Sequence, residues 1–141
     1  MSALAKDRLA CVMGGAMKNV GRDPESLLPL TPAVFHILLA LVDSERHGYG
    51  IMQEIAHRTD GKVRMGPGTL YGSIKRMLVD GLIEESGERP DPSLDDERRR
   101  YYRLTNLGQR VVRAEAERLE RLVNLARSKR LLHGPEAIGG A

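Results

Sequence analysis

A chain of 141 residues is long enough for one domain with an appended helix. Its composition, 41% hydrophobic and 29% charged, excludes a disordered or collagen-like chain. A formal net charge of +3 and a pI near 9.2 lean toward nucleic acid without requiring it.

Four Tyr, one Phe and no Trp leave the core to Leu, Ile, Val, Met and Ala. So small a domain gains from dimerisation. The single cysteine, Cys11, permits no intrachain disulfide, which suits a reducing cytoplasm. It reads as a small apolar residue, with a redox sensor or an intersubunit disulfide as the alternative. No run approaches a membrane span. The apolar stretch "LACVMGGAM" follows Asp7 and lacks a clear cleavage site, so it is not read as a signal peptide. A cytoplasmic protein is expected.

In chain order, residues 4–20 place Leu9, Val12, Met13, Ala16, Met17 and Val20 on one helical face. Gly14 and Gly15 weaken that helix, which is either short and in need of a partner surface or a partly ordered tail. "GRDPESLLPL" reads as a linker. Thr31-Pro32 predicts a helix start, with the threonine capping and the proline at the first helical position. The run "AVFHILLALV" is apolar almost all round and predicts a central helix. "DSERHG" ends it. "GYGIMQEIAHRT" is the second core helix, with Ile51, Ile55 and Met52 facing inward, and Asp60-Gly61 stops it. "KVRM" is read as a short strand.

The next helix opens at "GPGTLYGSIKRMLVDGLIE". Leu70, Ile74, Met77 and Leu78 form its apolar stripe, and Gly81 ends it. Neither a Walker loop nor a dinucleotide fingerprint fits: Gly66, Gly68 and Gly72 have the wrong spacing, and no βαβ unit surrounds them. "LIEES" and "RRRYYRL" then read as two strands of a hairpin around the acidic loop "GERPDPSLDDE". Thr105 caps a last helix over about 105–130, and a disordered tail is expected over 131–141. In that helix Val112, Ala116, Leu119, Val123 and Ala126 recur at alternating spacings of four and three, a heptad seam for another helix. Arg113, Glu117 and Arg121 make a surface ladder on it.

Three helices, a hairpin and a long helix are the plan of a winged helix-turn-helix: mainly α, with a small β-hairpin wing and a C-terminal dimerisation helix. The expected divisions are 1–27 for the N-terminal helix and linker, 28–104 for the winged unit and 105–130 for the dimerisation helix. On the recognition helix, Gly68 lies near its start, and Thr69, Tyr71 and Ser73 lie off the apolar stripe, with Lys75 and Arg76 following. Hydroxyls serve phosphates and base edges, and Lys and Arg serve phosphates or guanine. An ordinary solvated helix face is the plainer reading. On the returning strand, alternation groups Arg99, Tyr101 and Arg103 on one face and Arg100, Tyr102 and Leu104 on the other. Arg99 and Arg100 are candidates for phosphate contact. Asp91, Asp95, Asp96 and Glu97 make the tip acidic, so DNA contacts are expected at the wing base only. His36, His47, His57 and His133 show no metal-ligand spacing, no catalytic constellation is visible, and no cofactor or metal is expected.

Three segments together resemble the PadR family of transcriptional regulators. They are "LTPAVFHILLALVDSERHGYGIMQEI", "GPGTLYGSIKRMLVDGLIE" and "RRRYYRLTNLGQR", in that order over roughly residues 28–130. The resemblance implies a homodimeric winged-helix regulator, usually a repressor, with the dimer interface on the last helix. The single C-terminal helix resembles the shorter subgroup, whose members often respond to small hydrophobic molecules. It also implies that Tyr49 donates its hydroxyl to a DNA phosphate; packing on the recognition helix is the compatible alternative. The partners expected are double-stranded DNA with a pseudo-palindromic operator, a second copy of the chain, and a small hydrophobic effector lined by Val34, Leu38, Leu119, Leu122 and Ala126. A winged-helix interaction or oligomerisation module without an operator is the alternative function.

Overall fold

The computed structural model describes residues 22–91 and 97–133. The expected helix over 4–20, Cys11, Asp95 and Asp96 at the wing tip, and the tail from 134 lie outside the described residues.

Side-chain caps start the 3-10 turn and three of the four described helices; α3 starts at Gly66 without one. Pro24–Leu27 forms a 3-10 turn, with the Asp23 carboxylate accepting from the Glu25 N–H. Part of the expected linker is therefore ordered chain, and Leu27, Leu28 and Leu30 pack against the core. Helix α1 spans Pro32–Leu41, and the Thr31 hydroxyl accepts from the Val34 N–H at 3.2 Å. Helix α2 spans Gly48–Arg58 and is capped by His47, whose Nδ1 accepts from the Gly50 N–H at 2.9 Å. Helix α3 spans Pro67–Val79. It closes in a Schellman motif: Gly81 at φ 79° donates to the Leu78 carbonyl, and Leu82 donates to that of Met77.

Between α1 and α2 lies the two-residue strand β1, Arg46–His47. Strands β2, Ile83–Asp91, and β3, Glu97–Leu104, form the hairpin. The sheet is antiparallel in the order β1-β3-β2, with a bulge between Glu85 and Gly87. The short strand expected at Lys62–Met65 is absent: that segment joins no sheet among the described residues, and the third strand is instead Arg46–His47 on β3. Two residues inside a polar turn carry too little periodicity to announce a strand.

Helix α4 spans Asn106–Ser128. Its start is joined to the end of α3. The Thr105 hydroxyl donates to the Gly81 carbonyl and accepts from the Gly108 N–H, while the Thr105 N–H donates to the Leu82 carbonyl. Gly108 lies so close to the Leu82 carbonyl that no side chain fits there. Two turns on, the Glu115 carboxylate is only 2% exposed; it accepts from the Leu30 N–H at 3.0 Å and from Arg118 Nε at 2.6 Å. That contact fastens α4 to the approach of α1.

The core joins Ile37, Leu38 and Leu41 of α1 to Ile51 and Ile55 of α2, and to Leu70, Ile74 and Met77 of α3. Leu82, Ile83, Tyr102, Leu107, Val111 and Val112 close it. Helix α1 is not buried all round: Leu39 and Val42 are 45% and 47% exposed. The sheet and helices α2, α3 and α4 cover only part of its circumference.

Candidate nucleic-acid interface

Helix α3 turns its Leu70, Ile74 and Met77 stripe inward, so Thr69, Lys75 and Arg76 emerge on its exposed side, with Ser73 half-buried. On the same helix and its cap, Gly66, Gly68 and Gly72 face open space: a Cβ built on any of them meets nothing within 4 Å. Nothing within the described chain requires glycine at these positions. Tyr71 is half-exposed, and its ring lies across the backbone of Gly48 at the start of α2.

The N-terminus of α2 and strand β3 meet beside this helix. The Arg99 guanidinium stands 5.2 Å over the Tyr49 ring. Arg99 Nη1 also lies 3.5 Å from His47 Nδ1, and the His47 ring meets Tyr101 edge to face at 5.2 Å. Tyr49 and Arg99, singled out separately in the sequence, are thus one cluster. On the other face of β3, Tyr102 is buried; burial, then Glu85, then Tyr71 push its hydroxyl above the ordinary tyrosine range.

Arg100, a candidate phosphate contact, lies 3.5 Å from Glu85 and 3.6 Å from Glu88, an exposed pairing within the wing. Arg103 likewise pairs with Glu84 at 2.8 Å and Glu45 at 3.7 Å. Cross-strand register causes this, since Glu84 is the direct partner of Arg103 and Glu88 that of Arg100. Within the winged body, Lys62, Arg64, Lys75 and Arg76 make no ion pair with any described residue, whereas Arg46 and Arg58 also pair, with Asp43 and Glu54. Lys62 and Arg64 were missed because their segment was read as a strand.

Two further placements differ from expectation. Val112, assigned to the dimer seam, is 7% exposed within its own chain and belongs to the core. Beyond it, Ala116 is exposed, Leu119 and Ala126 are half-buried, and Leu122, Val123 and Leu125 are 49%, 37% and 52% exposed. Leu38, assigned to an effector pocket, is fully buried, so only Val34, Leu119, Leu122 and Ala126 of that set reach a surface. Open apolar volume exists elsewhere: a groove of ≈ 400 Å³ between α1 and α2 is lined by Leu39, Val42, Ile55 and the Asp43–Arg58 pair, among others.

A family model described as "Transcriptional regulator PadR-like family" matches residues 37–114, more than half of the chain. The chain belongs to the PadR-like family of transcriptional regulators. A PadR-like chain is a regulator and not an enzyme. It is 36% identical over 87 residues to the transcriptional regulator Rv3488 of Mycobacterium tuberculosis, covering 62% of this chain and 75% of that protein. It is 38% identical over 72 residues to a protein of Lysinibacillus sphaericus, spanning 51% of this chain and 63% of that one. In fold it is similar to Bacillus subtilis PadR, solved in complex with operator DNA, at TM-score 0.53 and 19% identity over 61% of this chain and 47% of that one. Among the described residues, no helix is long and apolar enough to cross a membrane.

Proposed function

We propose that the protein is a homodimeric repressor that binds a pseudo-palindromic operator and is released by a small hydrophobic effector. One observation carries the DNA-binding reading. The outward side of α3 combines bare glycine backbone at Gly66, Gly68 and Gly72 with exposed Lys75 and Arg76 that have no acidic partner among the described residues. Bare backbone allows close approach to a groove, and unanswered cations attract phosphates. Thr69 and Ser73 supply hydroxyls for base edges or backbone. The Tyr49–Arg99 cluster adds a phenol and a cation at the start of α2. The Bacillus subtilis relative, solved with operator DNA, supports the same use of the fold.

Dimerisation rests on the distal half of α4, where Leu119, Leu122, Val123 and Ala126 present an apolar face that the rest of the described chain leaves open. A two-fold pair presents two recognition helices, for half-sites about 34 Å apart or a multiple of it. The effector lies between the exposed side of α1, at Val34, and the partner copy's last helix. Such a ligand acts by binding the DNA-competent and incompetent arrangements unequally. The place of action is the cytoplasm.

The test is an electrophoretic shift with duplex DNA from upstream of the protein's own gene. A discrete complex that resists scrambled competitor is expected. Binding that scrambled DNA competes away equally overturns sequence specificity, and no binding at all overturns the DNA reading. Calorimetric screening of hydrophobic compounds, with operator release as second readout, tests the effector. Compounds that bind without changing operator affinity overturn the switch.

A further inference from the structure

We infer that Lys62 and Arg64, in the segment leading into α3, grip the phosphate backbone of duplex DNA as a second contact beside the recognition helix. The inference rests on the DNA-binding reading above.

The segment is held in place from behind. Helix α2 ends with Asp60 and Gly61 in the left-handed region, at φ 54° and 78°, and the Gly61 N–H donates to the Ala56 carbonyl at 2.7 Å. The Lys62 N–H donates to the Thr59 carbonyl at 2.9 Å, and the Val63 N–H to the Thr59 hydroxyl at 3.0 Å. Val63 and Met65 pack against the core. Burial alternates along the segment: Val63 and Met65 are half-buried, while Lys62 and Arg64 are exposed.

Position and charge supply the rest. At no more than about 3.3 Å per residue, Arg64 lies within about 7 Å and Lys62 within about 13 Å of Gly66, the cap of α3. Arg64 Nη2 rests 3.1 Å from where a Cβ of Gly61 would stand, so the bare turn seats the guanidinium. Residues 61–79 contain Lys62, Arg64, Lys75 and Arg76 and no Asp or Glu at all. A solvated surface without a ligand ordinarily intersperses both signs. Asp60 and Asp80 flank this stretch, and the acids that answer Arg46, Arg58, Arg100 and Arg103 lie instead in the turn after α1, on α2 and on the wing.

The test uses the full chain, a duplex from upstream of its gene and a scrambled duplex of equal length. Binding is measured against salt for wild type, Lys62→Ala/Arg64→Ala, Lys75→Ala, and Arg110→Ala/Arg113→Ala on the exposed face of α4. Each lost phosphate contact shallows the slope of log K on log salt by about 0.9. The loop double variant should shallow it by about 3.6 for a dimer, on both duplexes alike, because phosphate contacts carry no sequence information. The α4 control should leave it unchanged, and circular dichroism melting should be that of wild type. An unchanged slope in the loop variant, with Lys75→Ala still shallowing it, overturns this inference alone. Equal shallowing by the α4 control overturns it too, since the charges would then act as a diffuse field. Wild type that binds neither duplex overturns both the inference and the reading it rests on.

Discussion

The ring of Tyr71 on α3 occupies the space that a side chain at Gly48 on α2 would need. A Cβ at Gly48 would stand 2.6 Å from Tyr71 Cζ and 2.8 Å from Cε1. With the Tyr71 ring where it stands, only glycine fits at Gly48. Gly48→Ala should destabilise the fold by about 1–3 kcal/mol through overpacking. Tyr71→Ala should relieve the conflict, so the double variant should lose less than the sum of the singles. Urea unfolding of the four proteins checks this, and strict additivity would mean the ring is not the obstruction.

Gly108 faces a harder neighbour. There a Cβ would collide with the carbonyl oxygen of Leu82, and backbone does not swing aside as a ring does. Gly108→Ala should cost about 3 kcal/mol or more, above Gly48→Ala. The urea midpoint is the measurement.

Glu115 should make stability depend on acid. Hydrogen bonds from Arg118 hold its carboxyl below the ordinary 4.5, burial opposes them, and the Leu30 N–H assists. A folded pKa below the unfolded one stabilises above the unfolded value, and that stabilisation is lost as pH falls through the folded value. Glu115→Gln should therefore cost about 1–3 kcal/mol near pH 7, with the gap to wild type narrowing steadily below pH 4.5. Thermal melts across pH follow the gap, and a constant difference would refute the assignment.

On DNA, Lys75 and Arg100 should behave differently although both are exposed arginine-or-lysine positions near the site. Lys75→Ala should weaken binding to all sequences and shallow the salt slope by about one unit per protomer. Arg100→Ala should leave the slope nearly unchanged, because Glu85 and Glu88 already neutralise Arg100. Filter binding at several salt concentrations separates the two.

For assembly, Leu122→Asp/Val123→Asp should yield folded monomers by light scattering, since both side chains are exposed in the single chain. Val112→Asp should instead unfold the winged body, because Val112 is 7% exposed within it. A double variant that stays dimeric places the interface elsewhere.

The elements with strong local chemistry were legible in the sequence. Thr31-Pro32, Thr105 and Gly81 mark real helix ends, and the Leu70–Ile74–Met77 stripe is buried as its spacing requires. What was not legible depends on partners far away in sequence. Arg100 looks like a free cation until strand register sets it beside Glu85 and Glu88. Val112 fits a heptad as well as a core, and only the packing of α4 on the rest of the fold decides between them. Lys62–Met65 alternates as a strand does, yet the alternation reflects two side chains anchored in the core rather than a pairing edge. Glu115, one acid among several on an amphipathic helix, gives no local sign that it fastens Leu30.

Helix α4 is bolted to the winged body at Thr105, Gly108 and Glu115, all in its first half. Residues 119–128 make no such hydrogen bond to the winged body among the described residues and extend for roughly 15 Å at 1.5 Å per residue. Mutational tolerance is therefore partitioned along one continuous rod. Its proximal turns are spelled by the body they close, while its distal turns, with Leu122, Val123 and Leu125 exposed, are the freer to change. Drift in that outer portion can retune how copies meet while the reading head stays as it is.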